Sequence, residues 1–270
     1  AGAPRRLAAA QARHLGYLNL KAAFGSNLPA PGSEGQAEVT PTQARRIVRR
    51  VFANMGAGFV EQLRLPVRDK AYIERYIRIA DLDQFDQAVA SGRPIVVLTG
   101  HFGNWELCSI TAALRGFSVV ALARAQDKLP KLYRLLVSYR ESKGCRIVHK
   151  GGAMRVLVQA LHRRELVGIV ADQASRQGIF VDFLGRPALF ATGPFELARS
   201  ANALIMPVFI HRVHGPYHRL VVERPIDLSQ VKGGKEDVVR AGIEQFVQAL
   251  ARHIEQDPAQ WLWLHKRWKH

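Results

Sequence analysis

The chain has 270 residues, 48% of them hydrophobic, with 39 Lys and Arg against 22 Asp and Glu, a formal charge of +17. That apolar content argues against wholesale disorder, and the length allows one large domain or two small ones with a sizeable core. The positive field favours anionic partners (phosphates, acidic carrier proteins, an anionic membrane face or nucleic acid) without choosing among them.

Residues 5–24 predict a helix with mixed faces, and residues 25–39 a polar loop rich in Gly and Pro. Residues 1–12 lack the charged-then-apolar order of a signal peptide, and no run reaches the ~18–20 apolar residues that span a bilayer. Thr40, Pro41 and Gln43 form a helix-start signal: N-cap, first helical residue and the far side of a capping box. The helix they open runs to about residue 65 and stops before Pro66, with Ile47, Val48, Val51, Phe52, Met55, Phe59 and Leu63 in one stripe. Arg45, Arg46, Arg49 and Arg50 read mainly as a solvated face, and second as a membrane-facing one. The β-branched content of residues 72–79 suggests a strand, with helix as the alternative, and residues 82–90 read as a short helix.

Ile95–Thr99 is an apolar run that reads as a strand buried on both faces. Gly100 ends it, His101 follows, and Glu106 comes five residues later. From Asn104 the pattern turns helical through Trp105, Leu107, Cys108, Ala112 and Leu114 to a stop at Gly116. His101 therefore sits where a central strand empties into a helix, the place where open α/β sheets put their chemistry. Inside one continuous helix the two side chains would lie about 7.5 Å apart along the axis, so they meet only if His101 stands in a turn before it. Gly100 and Gly103 permit such a turn. A carboxylate near a His fixes its tautomer and stabilises the imidazolium. On these residues alone, a satisfied His beside a solvated Glu is an equal reading.

Further strands are predicted at 118–123, 145–148, 167–171 and 179–183, and helices at 128–143, 153–163 and 192–200. Gly185-Arg186-Pro187 reads as a turn, residues 204–211 and 217–222 as a hairpin about Gly215-Pro216, and 237–255 as the last long helix. The alternation with short connections predicts an α/β fold: a mainly parallel mixed sheet flanked by helices on both faces, with a helical N-terminal segment. One domain is expected over 1–270, mostly helical to residue 90 and α/β from 91 onward. Cys108 and Cys145 read as buried free thiols.

The segment His101-Phe-Gly-Asn-Trp-Glu106 resembles the H-x4-D/E motif of the lysophospholipid acyltransferase superfamily. Its HFGNWE form is similar to the branch of bacterial lipid A late acyltransferases, the lauroyl and myristoyl transferases. The likeness continues through Gly151-Gly-Ala-Met-Arg155, Ala171-Asp-Gln173, Phe183-Leu-Gly-Arg-Pro187, Thr192-Gly-Pro194 and Trp261-Leu-Trp-Leu-His-Lys-Arg-Trp268, and so covers the chain. The resemblance implies an O-acyltransferase at the cytoplasmic face of the bacterial inner membrane, peripheral or held by an N-terminal anchor not evident in this chain. It implies an acyl-carrier-protein or coenzyme A thioester as donor and a lipid A precursor as acceptor, with another glycolipid, a lysophospholipid or an aminolipid as the alternative acceptor. An anionic membrane surface is the expected partner; no cofactor, metal or nucleic acid is expected. His101 would be the general base, Glu106 would hold and charge-compensate it, and Gly103, Asn104, Arg124 and Asp172 would face substrate.

Arg124 and Asp172 both end predicted strands, as His101 does, so the three can share one edge of a parallel sheet. Arg124 matches the family's arginine after the second strand, which implies contact with an acceptor phosphate or support of the site; a surface ion pair is the equal alternative. Asp172 and Gln173 match the family's D-Q pair, and for Asp172 a structural role, tying down a loop or its arginine, is favoured over substrate contact. Phe180, Phe183, Leu184, Leu189, Phe190 and Phe195 suit either an acyl channel or core packing. His211, His214 and His218 lack the spacing of a metal site. Trp261, Trp263 and Trp268, interleaved with His265, Lys266, Arg267 and Lys269, combine aromatic-belt chemistry with core packing. The non-enzyme alternative is a basic module for anionic lipid or nucleic acid; charge spread along the chain and the lack of a nucleic-acid motif count against it. There is no G-x-S-x-G elbow.

Overall fold

A computed structural model describes residues 3–25, 28–29, 36–37, 40–125, 129–149, 151–175 and 177–268. Most of the expected loop over 25–39, the expected helix start at Lys128, and Lys269 lie outside the described residues. Helix α1 (Ala3–Phe24) and a short pair, β1 (Leu28–Pro29) with β2 (Gln36–Ala37), precede α2 (Pro41–Leu63). Then come α3 (Lys70–Tyr76), β3 (Ile77–Ala80), α4 (Leu82–Ala90), β4 (Ile95–Thr99), α5 (Glu106–Leu114), β5 (Val119–Ala123) and α6 (Pro130–Glu141). They are followed by β6 (Cys145–His149), α7 (Ala153–His162), β7 (Leu166–Val170), β8 (Ile179–Phe183) and β9 (Arg186–Phe190). The chain closes with α8 (Gly193–Ser200), β10 (Leu204–His214), β11 (Tyr217–Val222) and α9 (Lys235–Gln256).

Seven strands form one sheet in the order β3-β11-β10-β4-β7-β5-β6. All its pairings are parallel except that of β10 with β11, which are joined by the hairpin at Gly215-Pro216. The expected mixed, mainly parallel α/β architecture is present. Strand β4 shows why its residues read as doubly buried: Val96 and Leu98 face one core with α7, α8 and α9, while Ile95 and Val97 face another with α3, α4 and α5. The same alternation splits β10, with Ile205 and Phe209 on the first face and Leu204, Met206, Val208 and Ile210 on the second.

Local signals explain most boundaries. The amide of Thr40 donates to Gln43 Oε1 (2.8 Å) and the Gln43 amide to Thr40 Oγ1 (3.3 Å), the expected capping box. Helix α5 stops at Gly116, which has φ of +97°, and the Phe117 amide reaches back to Ala112 O. Residues 72–79 differ from the expected strand. Asp69 Oδ1 accepts the Tyr72 amide (2.9 Å) and starts helix α3, so only Ile77–Ala80 is extended. The N-cap outweighs the β-branched content. Residues 186–190, read only as following a turn, form β9: Leu184 (φ 55°) and Gly185 (φ 74°) close a two-residue hairpin with β8.

Helix α2 is fixed to the sheet by a buried cluster. Both Glu61 oxygens accept from Arg212 of β10 (2.6 and 2.7 Å), and Asn104 Nδ2 donates to Glu61 Oε2 (2.6 Å). Burial opposes the charge of Glu61, but Arg212, His218 and Asn104 together hold its pKa below the usual range. Glu61→Ala would strand the guanidinium of Arg212 and is expected to cost about 3–5 kcal/mol, read as a lowered urea midpoint. Replacing both partners by Leu and Met should recover most of that loss; equal loss in single and double variants would show that the pair does not hold α2.

Candidate active site

Sheet register builds the site. Thr99 of β4 is level with Val170 of β7, and the Ala171 amide donates to Thr99 O (2.9 Å). Two residues further on each strand stand His101 and Asp172, side by side at the carboxyl edge. Asp172 is fully buried and takes three hydrogen bonds: from the His101 amide to Oδ2 (2.7 Å), from His101 Nδ1 to Oδ1 (2.5 Å), and from Trp261 Nε1 to Oδ2 (2.7 Å). A Cβ at residue 100 would lie 3.1 Å from Asp172 Oδ2 and 2.8 Å from Leu250 Cδ1, so Gly100 leaves the room this carboxylate occupies. The turn after it is sewn to the C-terminal segment. The Gly103 amide donates to Gln260 O (2.9 Å) and the Leu262 amide to His101 O (3.0 Å). Gly103 has φ of +57°, and a Cβ there would sit 1.8 Å from Ile210 O, so no other residue fits.

The electrostatics follow from those contacts. Burial works against protonation of His101, yet the Asp172 carboxylate beside it and the charge of Glu106 outweigh burial and raise its pKa above the ordinary value. Burial likewise opposes the charge of Asp172, but His101, His265 and the His101 amide hold it far below the usual carboxylate range. An ionised Asp172 can only accept, so Nδ1 of His101 carries the proton and Nε2 presents its lone pair. Nε2 is met by the exposed side chain of Gln173 at 3.2 Å. A group arranged in this way can take a proton at Nε2 while the carboxylate at Nδ1 stabilises the cation that forms.

Glu106 was expected to hold His101; the structure puts Asp172 in that place. Glu106 opens α5 and turns to Arg140 of α6 (2.7 Å), so it acts on His101 through its field. The reason is geometric: Asp172 shares the strand-edge level of His101, whereas Glu106 lies in the first turn of α5 and pairs with Arg140. Asn104 and Gly103 were expected to face substrate, but the Asn104 side chain is buried on Glu61 and the Gly103 amide is bound to Gln260. Arg124 follows β5, whose register puts it level with Ala171 at the same edge; it is exposed and has no ion pair among the described residues. The structure thus joins His101 and Asp172 and leaves Arg124 on the rim.

Phe183, Phe190 and Phe195 are buried in the core, with Phe183 edge-on to Phe190 and Trp261, while Phe180 is exposed. Trp261, Trp263 and Trp268 are also core residues (0, 0 and 3% exposed), and the Trp263 carbonyl accepts from Asn19 of α1 (2.7 Å). The aromatic-belt half of that expectation is therefore corrected: no terminal tryptophan reaches the surface. Arg267 is buried with them, its guanidinium 3.8 Å from the Phe190 ring centre, and burial pushes its pKa down to about 10. His211 bonds His253 (2.7 Å), which bonds Glu223 (2.8 Å), and the described residues contain no cluster arranged to hold a metal. Cys108 and Cys145 are buried free thiols, pushed up by burial to about 12 and about 11.

Sequence reading missed Trp261 and Gln260 as parts of the site. The aromatic density of residues 261–268 was the available signal, but only register shows which indole meets Asp172. Asp172→Asn removes the charge that raises the His101 pKa and leaves burial opposed only by Glu106. An imidazole titration by NMR should place wild-type His101 above about 6.5 and the variant below wild type. Trp261→Phe, losing one bond to Oδ2, should move it less; an unchanged His101 titration in Asp172→Asn would break the pairing.

The family profile described as bacterial lipid A biosynthesis acyltransferase matches residues 37–270. A phosphatidylinositol mannoside acyltransferase of Mycobacterium tuberculosis is 28% identical over 215 residues, which are 77% of this chain and 66% of that protein. A lipid A biosynthesis acyltransferase of Haemophilus influenzae is 18% identical over 228 residues, 83% of this chain and 69% of its own. Among solved structures, a 1-acyl-sn-glycerophosphate acyltransferase from Thermotoga maritima superposes with a TM-score of 0.40 at 13% identity, covering 90% of this chain and 95% of that one. The chain spans just under two thirds of the length of the M. tuberculosis relative. With its family profile matched across all but the first residues, and the H-x4-E histidine seated at the strand edge, the chain belongs to the bacterial lipid A biosynthesis acyltransferase family.

Proposed function

We propose that this chain transfers a fatty acyl group from an acyl-carrier-protein or coenzyme A thioester to a hydroxyl of a membrane glycolipid, with His101 as general base. The observation that carries this is the fixed tautomer: Asp172 occupies Nδ1 and directs the lone pair at Nε2 outward from the sheet edge. The acceptor hydroxyl displaces Gln173 from Nε2 and gives its proton to His101 as its oxygen attacks the thioester carbonyl. The C–S bond then breaks, the thiolate leaves, and the imidazolium returns the proton to sulfur. No covalent enzyme intermediate is required. The amides of residues 104–106 carry no hydrogen bond among the described residues and stand at the positive end of α5, where they would oppose the oxyanion charge.

The relatives support a lipid acceptor without fixing which one. The family description favours a lipid A precursor, while the higher identity is to a phosphatidylinositol mannoside acyltransferase. A glycolipid acceptor is common to both descriptions. Arg124, exposed at the same edge, suits an acceptor phosphate. Attachment is proposed at the membrane face, peripheral or through an N-terminal anchor; no helix among the described residues is long and apolar enough to cross a membrane.

His101→Ala should lower acyl transfer by about 10²–10⁴-fold with the fold intact. Glu106→Gln should lower it less, because it weakens the field at His101 and breaks the Arg140 pair without touching the ring. Transfer is read as the acyl-sized mass gain of lipid A precursor, phosphatidylinositol mannoside and lysophospholipid in parallel. Wild-type rates in His101→Ala, or gain on lysophospholipid alone, would end the respective parts of the reading.

A further inference from the structure

Helix α2 has two unlike sides. Its inner side lies on the active-site turn: Asn54 Nδ2 donates to Ala259 O (3.0 Å), Gly58 faces Asn104 closely enough that a Cβ would be 3.8 Å from its Cγ, and Glu61 bonds Asn104 and Arg212. No described residue covers the outer side. Of its apolar stripe, Val48 and Val51 are buried, but Met55, Phe59 and Leu63 are 41, 42 and 41% exposed; Val60 beside them is 55% exposed and Val67 just beyond 76%. Leu129 and Leu135 of the neighbouring α6 region are 62 and 41% exposed, and Lys143 at the end of α6 donates to Pro66 O (3.0 Å), tying the two segments together.

The charge around this strip is mainly positive, with Asp69 and Glu141 as exposed carboxylates at its far end. Arg45, Arg46, Arg49, Arg64, Lys131 and Arg134 are exposed and form no ion pair among the described residues. The sole carboxylate of α2, Glu61, is turned inward on Arg212. We propose that this outer side of α2, with the adjoining end of α6, is the surface that docks on an anionic lipid bilayer. The reading rests on the membrane acceptor proposed above, and gives it a geometry.

The physical case has three parts. A row of apolar side chains from residue 55 to residue 67 is about 18 Å long at 1.5 Å per residue, the form of an element lying in an interfacial plane. Unpaired cations beside it would each gain about 1 kcal/mol near an anionic leaflet. A second copy of the chain would bring like charges together across the same rim, so the bilayer fits better. Docking by this side also places the His101 turn directly beneath the helix that meets the lipid.

Flotation of the full chain without substrates tests the surface apart from the chemistry. Vesicles of phosphatidylcholine with phosphatidylglycerol should carry the wild type upward, vesicles of phosphatidylcholine alone should carry much less, and salt above about 0.15 M should weaken the anionic case. Phe59→Gln, Leu63→Gln and Val67→Gln together should lower vesicle affinity at least tenfold, with circular dichroism and thermal midpoint unchanged. Arg45→Gln, Arg46→Gln and Arg49→Gln together should flatten the salt dependence. Hydrolysis of a soluble acyl thioester should stay at the wild-type rate in both variants, which separates a docking failure from a failure of the catalytic reading. Equal flotation of wild type and the Phe59, Leu63 and Val67 triple variant would overturn the proposal. So would failure of the wild type to float with anionic vesicles, or a wild-type dimer that the triple variant dissolves, since the partner would then be a second copy.

Discussion

Everything at the carboxyl edge depends on one buried carboxylate. Asp172 has no contact with solvent, and an ionised carboxyl in that setting is costly unless its lone pairs are filled. Three donors fill them, two from His101 in the site turn and one from Trp261 in the C-terminal segment. The carboxylate therefore fixes the His101 ring and backbone together, and ties both to Trp261. A second layer repeats the pattern, because Gln260 accepts from the Gly103 and Arg212 amides while its own amide donates to Arg212 O. The turn is thus held by backbone bonds to a segment some 160 residues away in sequence, which is why two glycines suffice to let it form.

This dependence explains what sequence could and could not show. Strand β4, the His at its end and helix α5 were readable because each rests on local physics: an apolar run, a glycine stop, a 3.6-residue period. The partner of His101 was not, since it depends on which strand pairs with β4. The H-x4-E motif points to Glu106, five residues on from His101; Asp172 is 71 residues away and is brought level by the β4–β7 register. The position of both at strand ends was nevertheless legible, and only the assignment between them needed the sheet.

The terminal tryptophans show the opposite error. Trp, His, Lys and Arg interleaved can read as an interface belt, because composition does not record which way a segment folds. Here the segment folds inward: Asn19 captures the Trp263 and His265 carbonyls, and Arg267 stacks on Phe190. The surface cations and apolar side chains lie instead on α2, whose apolar stripe is buried at Val48 and Val51 and exposed from Met55 onward. Periodicity states which residues share a face, not whether anything covers it.

The balance of forces at His101 accounts for why two carboxylates serve one histidine. Burial alone would lower its pKa and leave a weak base; full pairing would raise it and leave few unprotonated molecules near neutral pH. Asp172, in contact, supplies the larger upward effect, and Glu106 a smaller one from a distance, attenuated because Arg140 partly neutralises it. A general base works best with a pKa near the operating pH, where proton affinity and availability are both appreciable. Moving Glu106 onto Nδ1 as well would push the ring towards permanent protonation. Its pairing with Arg140 leaves Glu106 to act on His101 through its charge alone, while Asp172 acts by contact.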